Sequence, residues 1–110
     1  MVKDRTYSRY TRSAAALLAR LVQLGRKRRK WTERELAERA GIARATLQKI
    51  EKGDLCVAIG LVFEVAALVG VTLFDDERTA LAAHIARTDD MLALLPSSVR
   101  KRSKSVDDEF

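Results

Sequence analysis

A glycine at position 41, set between two short apolar patterns, restricts this chain more than any other feature. Before it come Leu36, Ala37 and Ala40; after it come Ile42, Leu47 and Ile50. Leu36, Ala37 and Ala40 fall at three- and four-residue spacing and Leu47 and Ile50 at three, which places each group on one face of a short helix. Gly41 then supplies the positive-φ turn that a Cβ would make costly. Two helices joined this way cross steeply, with Leu36, Ala40, Ile42, Leu47 and Ile50 as their shared core. Ala37 faces the partner helix, where a larger side chain would force the two apart. Thr32 with Glu35 predicts a capping box at the start of the first helix. The second runs roughly from Ala43 to Lys52 and is closed by Gly53. Ala43, Leu47 and Ile50 are expected to face inward, leaving Arg44, Ala45, Gln48, Lys49 and Lys52 as an outward stripe.

The remaining pattern predicts an all-α chain, a compact four- to five-helix bundle. A first helix is expected from Ser13, as N-cap, to about Lys27, burying Leu17, Leu18, Leu21 and Leu24. Gly25 weakens its last turn. From Ala58 to Val69 the single charge is Glu64, which predicts a helix wrapped on most sides. Residues 71–74 read as either loop or short strand. Asp75-Asp76-Glu77 provides an acidic start for a last helix ending before Pro96. Along it Leu81, Ile85, Thr88, Leu92 and Leu95 form a seam that suits a core or another subunit. The expected division is a flexible basic arm at 1–12, a domain at 13–74 that holds the paired helices, a C-terminal helix for dimer or partner contacts at 75–96, and a flexible charged tail at 97–110. Trp31, Phe63 and Phe74 read as core anchors.

Charge separates the halves. Residues 1–55 hold 15 Lys and Arg against 6 Asp and Glu, a net of +9; residues 56–110 hold 6 against 9, a net of −3. A basic half suits a polyanion, although a uniformly solvated surface gives the same count. The run Arg26-Lys27-Arg28-Arg29-Lys30 reads either as a phosphate track or as a solvated loop. Tyr7 and Tyr10 lie among Arg5, Arg9 and Arg12, in an arm that reaches a minor groove or stays mobile. One cysteine, Cys56, excludes an internal disulfide and suits a reducing cytoplasm. One histidine, His84, makes a metal site improbable, and no constellation for nucleophilic catalysis is present. No enzyme activity, cofactor, membrane span or N-terminal processing signal is expected.

The paired helices are those of a helix-turn-helix, whose second helix enters the major groove of DNA. On its stripe, Arg44 or Lys49 suits guanine O6 and N7, Gln48 suits adenine, and Ala45 allows close approach to a thymine methyl. A solvated helix face is the bland alternative. The residues Trp31-Thr32, Glu35 to Gly41, Thr46-Leu47, Ile50-Glu51 and Gly53-Asp54 resemble the Cro/C1-type (XRE) helix-turn-helix family over roughly Ser13 to Phe74. The resemblance implies a lambda-repressor-like bundle acting as a homodimer on a two-fold operator in double-stranded DNA. It implies base contacts from Arg44, Ala45, Gln48 and Lys49, and phosphate contacts from Thr32, Arg34, Thr46 and Lys52. It also implies an ion pair between Arg26 and Glu51. Glu33 departs from the family's common glutamine, and its carboxylate repels phosphate unless Arg34 or a nearby cation screens it. Ala43 stands where Ser or Thr is common.

Phe63-Glu64-Val65-Ala66, the stretch Gly70 to Phe74, and a tail running from Leu95-Pro96 through Arg100-Lys101-Arg102 to Phe110 resemble HipB-like antitoxins. That looser resemblance implies a cytoplasmic autorepressor that neutralises a HipA-like serine/threonine kinase toxin. A helix-turn-helix serving mainly as a scaffold for a kinase, or a phage-type repressor with no toxin partner, is the alternative.

Overall fold

Thr32 stops one helix from running into the next, and the way it does so sets the frame of the fold. Its Oγ1 accepts from the Glu35 backbone N–H at 3.0 Å, while the Glu35 carboxylate accepts from the Thr32 N–H at 2.8 Å. This reciprocal cap satisfies two of the amides a helix start leaves open. A computed structural model describes residues 5–74 and 78–99. Its order is α1 (Arg9–Arg28), α2 (Glu33–Ala40), α3 (Arg44–Glu51), α4 (Ile59–Leu68) and α5 (Arg78–Ala93). The protein is all-α, and no strand occurs among the described residues; 71–74 is loop. The chain divides into two units after Phe74, so the bundle proper has four helices and α5 belongs to the second unit.

Gly41 adopts φ +71°, ψ 33° and closes α2, as its place in the sequence predicts. Leu36, Ala37, Leu47 and Ile50 are buried with Val22, Val65 and Val69 in one core, against which Trp31, Ala40 and Ile42 pack. Burying a leucine such as Leu36 or Leu47 is worth about 2 kcal/mol in transfer free energy, so this cluster holds α2 and α3 at their crossing.

Several expectations are corrected. The first helix starts at Arg9, capped by Ser8, whose Oγ accepts from Thr11 N–H at 3.2 Å; nothing between Arg9 and Ser13 breaks a helix, so Ser13 is interior. The arm assigned to 1–12 is therefore helical over its last four residues, and residues 1–4 lie outside the described residues. The helix buries Ala19, Val22, Gly25 and Arg26, while Leu17, Leu21 and Leu24 are exposed. Gly25 decides this. A Cβ there would meet the Val69 carbonyl oxygen at 2.5 Å, so only a glycine lets α1 approach the end of α4.

Along α4 only Val65 and Ala66 are buried, and Ile59, Leu61 and Phe63 are exposed, so this helix is not wrapped. Phe63 and Phe74 are exposed and meet edge to face at 6.4 Å instead of anchoring the core. In α5 the expected seam is open, with Ile85, Leu92 and Leu95 exposed. The acidic start at 75–77 and the tail from 100 onward lie outside the described residues.

Candidate nucleic-acid interface

The second helix of the pair has a fixed inner side and a free outer one. Leu47 and Ile50 lie in the core, and Glu51, one position further, is buried against Arg26. That contact is bidentate: Nε to Oε2 at 2.7 Å and Nη2 to Oε1 at 3.0 Å. A third Arg26 donor, Nη1, reaches the Trp31 carbonyl at 3.1 Å, and Gln23 Nε2 donates to the Glu51 carbonyl at 2.7 Å. The hydrogen bond that Arg26 donates to Glu51 outweighs the burial that opposes charge and raises the Arg26 pKa above its ordinary value. The pair implied by the resemblance therefore forms. It ties the end of α1, the entry to α2 and the end of α3 to one another.

With that side locked, Arg44, Ala45, Lys49 and Lys52 are exposed, and Gln48 is half-buried. These positions follow i, i+1, i+4, i+5 and i+8 and so share one side of α3. Ala43, expected to face inward, is exposed. It is the N-cap of α3, has extended backbone, and makes no side-chain cap bond. Thr32 and Arg34 at the start of α2 are exposed, and Thr46 is half-buried on the flank of α3. The Thr32 hydroxyl oxygen already serves the cap of α2.

Glu33 occupies a place the sequence does not reveal. Its Oε1 accepts from Gln48 Nε2 at 3.2 Å and from Arg44 Nη2 at 3.4 Å. Its partners are thus on α3, and of the expected screening by Arg34 or a nearby cation, the nearby cation is Arg44. The Gln48 hydrogen bond is the leading reason that the Glu33 pKa is lowered, with the Arg44 bond and the charges of Arg26 and Arg44 adding to it and partial burial opposing. The available signal was a carboxylate at the first position of α2 and an arginine at the first position of α3, brought face to face by the Gly41 turn.

The cation run is divided among several tasks. Arg26 is buried. Arg29 Nη1 donates to the Val69 carbonyl at 2.8 Å and its guanidinium lies 5.8 Å from the Trp31 ring centre, while Arg39 lies over the same ring at 4.2 Å. Lys27 instead borders, with Gln23, Glu33, Gln48 and Lys52, an open polar cleft of about 390 Å³. Lys27, Lys52 and Glu33 thus line one cleft, drawn from α1, α2 and the end of α3. At the start of α1, Arg12 Nη1 donates back to the carbonyl of Tyr7, which precedes the helix, at 2.8 Å, and Arg5 lies 5.5 Å from the Tyr7 ring centre.

Elsewhere, Cys56 is exposed and unpaired with sulfur, in a turn where Asp54 Oδ1 accepts from its N–H at 2.7 Å. Among the described residues no group of acidic, histidine and cysteine side chains has metal-site geometry, and no helix is long and apolar enough to cross a membrane. Residues 22–75 match a family model described as helix-turn-helix, covering the last turns of α1 through the loop after α4. No curated protein and no solved structure gives a significant match to the chain.

Proposed function

Residues 22–75 belong to the Cro/C1-type (XRE) helix-turn-helix family of DNA-binding regulators, and on that premise we propose that the protein is a sequence-specific transcriptional repressor. One observation carries the reading. The helix after the glycine turn is fixed from within by Leu47, Ile50 and the Arg26–Glu51 pair, and turns Arg44, Ala45 and Lys49 to solvent. A rigid helix with a cationic, sterically open outer side is what readout of base edges requires. Arg44, Ala45, Gln48 and Lys49 are assigned to bases. Thr32, Arg34, Thr46 and Lys52 are assigned to phosphates, with Arg44 paired to the Glu33 carboxylate between them.

The repressor is assigned to the cytoplasm as a homodimer on a two-fold operator. Exposed Leu17, Leu21 and Leu24 on α1, and Phe63 and Phe74 beyond them in sequence, give apolar surface that pairing would cover. The finer assignment is the antitoxin and autoregulator of a toxin–antitoxin operon with a HipA-like kinase. It draws on the resemblance of 63–66, 70–74 and the tail, and on the exposed apolar residues Ile85, Met91, Leu92 and Leu95, which suit a protein partner. The same residues favour a second reading, a scaffold for the kinase with weak DNA binding.

Arg44→Ala and Lys49→Ala, assayed against the protein's own upstream DNA, separate the two. Loss of a bidentate base contact is expected to cost about 1–3 kcal/mol of discrimination against competitor DNA. Unchanged discrimination in folded variants rejects the repressor reading in favour of the scaffold.

A further inference from the structure

Among the described residues, Glu33 is the one acidic side chain bonded to side chains of the outward stripe of α3. Its side chain is 28% exposed, against 62% for Arg44, so it is the more enclosed of that pair. An ionised carboxylate can only accept hydrogen bonds. Gln48 must therefore turn its amide nitrogen toward Glu33, at 3.2 Å, and its carbonyl oxygen away from α2. An isolated glutamine can offer either end of its amide to a base; this one cannot. With one N–H given to Glu33, Gln48 retains an outward acceptor and one further N–H. That donor–acceptor couple matches adenine, which offers an N6 donor beside the N7 acceptor. It mismatches guanine, whose O6 and N7 both accept. Arg44 gives Glu33 a single Nη2 bond, at 3.4 Å, and keeps its other N–H groups for a guanine edge.

We propose that Glu33 is a specificity-determining residue of this surface, acting as a positioning residue through Gln48 so that the base pair under Gln48 is read as adenine in preference to guanine. The inference rests on the DNA-reading function proposed above.

The test is selection of binding sites from a randomised duplex library at one salt concentration. It uses the full chain as wild type, Gln48→Ala, Glu33→Gln and Glu33→Ala, each checked for native helix content. Gln48→Ala identifies the base position that Gln48 reads. At that position the wild type is expected to favour adenine over guanine, and Glu33→Ala to lower that ratio about 10-fold. The rest of the motif is kept. Glu33→Gln, whose amide can itself donate to Gln48 and so permits either orientation, is expected to relax the same position and no other. A merely structural role would weaken binding to all sequences alike and leave the motif unchanged. A motif that survives Glu33→Ala intact overturns this inference alone. Recovery of no motif by the wild type overturns the DNA-reading proposal and this one with it.

Discussion

Removing one partner of the Arg26–Glu51 pair is expected to cost far more than removing both. The two side chains are 11% and 5% exposed, and they meet through two bonds of 2.7 and 3.0 Å. Arg26→Met leaves a buried carboxylate with Gln23 bound to the Glu51 backbone and not to the charge. Glu51→Leu leaves a buried guanidinium with the Trp31 carbonyl as its remaining protein acceptor. Breaking a buried pair in this way costs about 3–5 kcal/mol; because Arg26 retains some solvent contact, about 3 kcal/mol is expected for each single variant. For a bundle of this size that lowers the melting temperature by more than about 10 °C. The double variant exchanges the pair for apolar groups of similar volume and is expected to lose about 1 kcal/mol or less. The coupling in the cycle should therefore be about 5 kcal/mol. Urea unfolding followed by circular dichroism and Trp31 fluorescence, at one fixed protein concentration, measures it. Additive single effects, or singles costing under about 0.5 kcal/mol, would refute the reasoning that this pair locks α3 to α1 and to the start of α2.

Two further outcomes follow from the same packing. Gly25→Ala places a methyl 2.5 Å from the Val69 carbonyl and is expected to destabilise by about 3 kcal/mol, whereas Gly41→Ala meets nothing within 4 Å and should cost the left-handed strain alone, about 1 kcal/mol; equal losses in thermal unfolding would contradict this. Because the Glu33 pKa is lowered in the fold, its ionised form adds stability that is fully present above the ordinary glutamate range and is lost as pH falls through the lower native value. The stability difference between wild type and Glu33→Gln should thus be under about 1 kcal/mol at neutral pH and vanish in acid; a difference that grows on acidification would reverse the assignment.

How far the sequence reached depended on whether a pattern had one physical solution. Thr32 with Glu35, and Gly41 after Ala40, each had one, and α2 begins and ends where they place it. Leu36, Ala37, Leu47 and Ile50 likewise had one side to bury, and they are buried. The first helix had two. Its apolar residues surround most of the circumference from Ala14 to Leu24, so hydrophobicity alone favoured the leucines. The choice of the Ala19–Val22 side was made by Gly25 against Val69 and by Arg26 with Glu51, contacts between segments distant in the chain. Helix α4 misled for a related reason: a nearly uncharged run says that its residues avoid water, and does not say that this unit alone covers them. At the candidate interface, the outward stripe was legible from helical period. The grip of Glu33 on Gln48 and Arg44 was not, because it depends on the crossing of two helices and on side-chain reach across the turn.

The central claim, that the outer side of α3 reads duplex DNA, is tested most directly by mapping backbone amide chemical shifts of the isotope-labelled full chain during titration with its upstream operator duplex. The account predicts that the largest changes fall on residues 32–34 and 43–49, with 78–93 little affected. Saturable binding that leaves 43–49 unmoved and shifts α5 instead would contradict it.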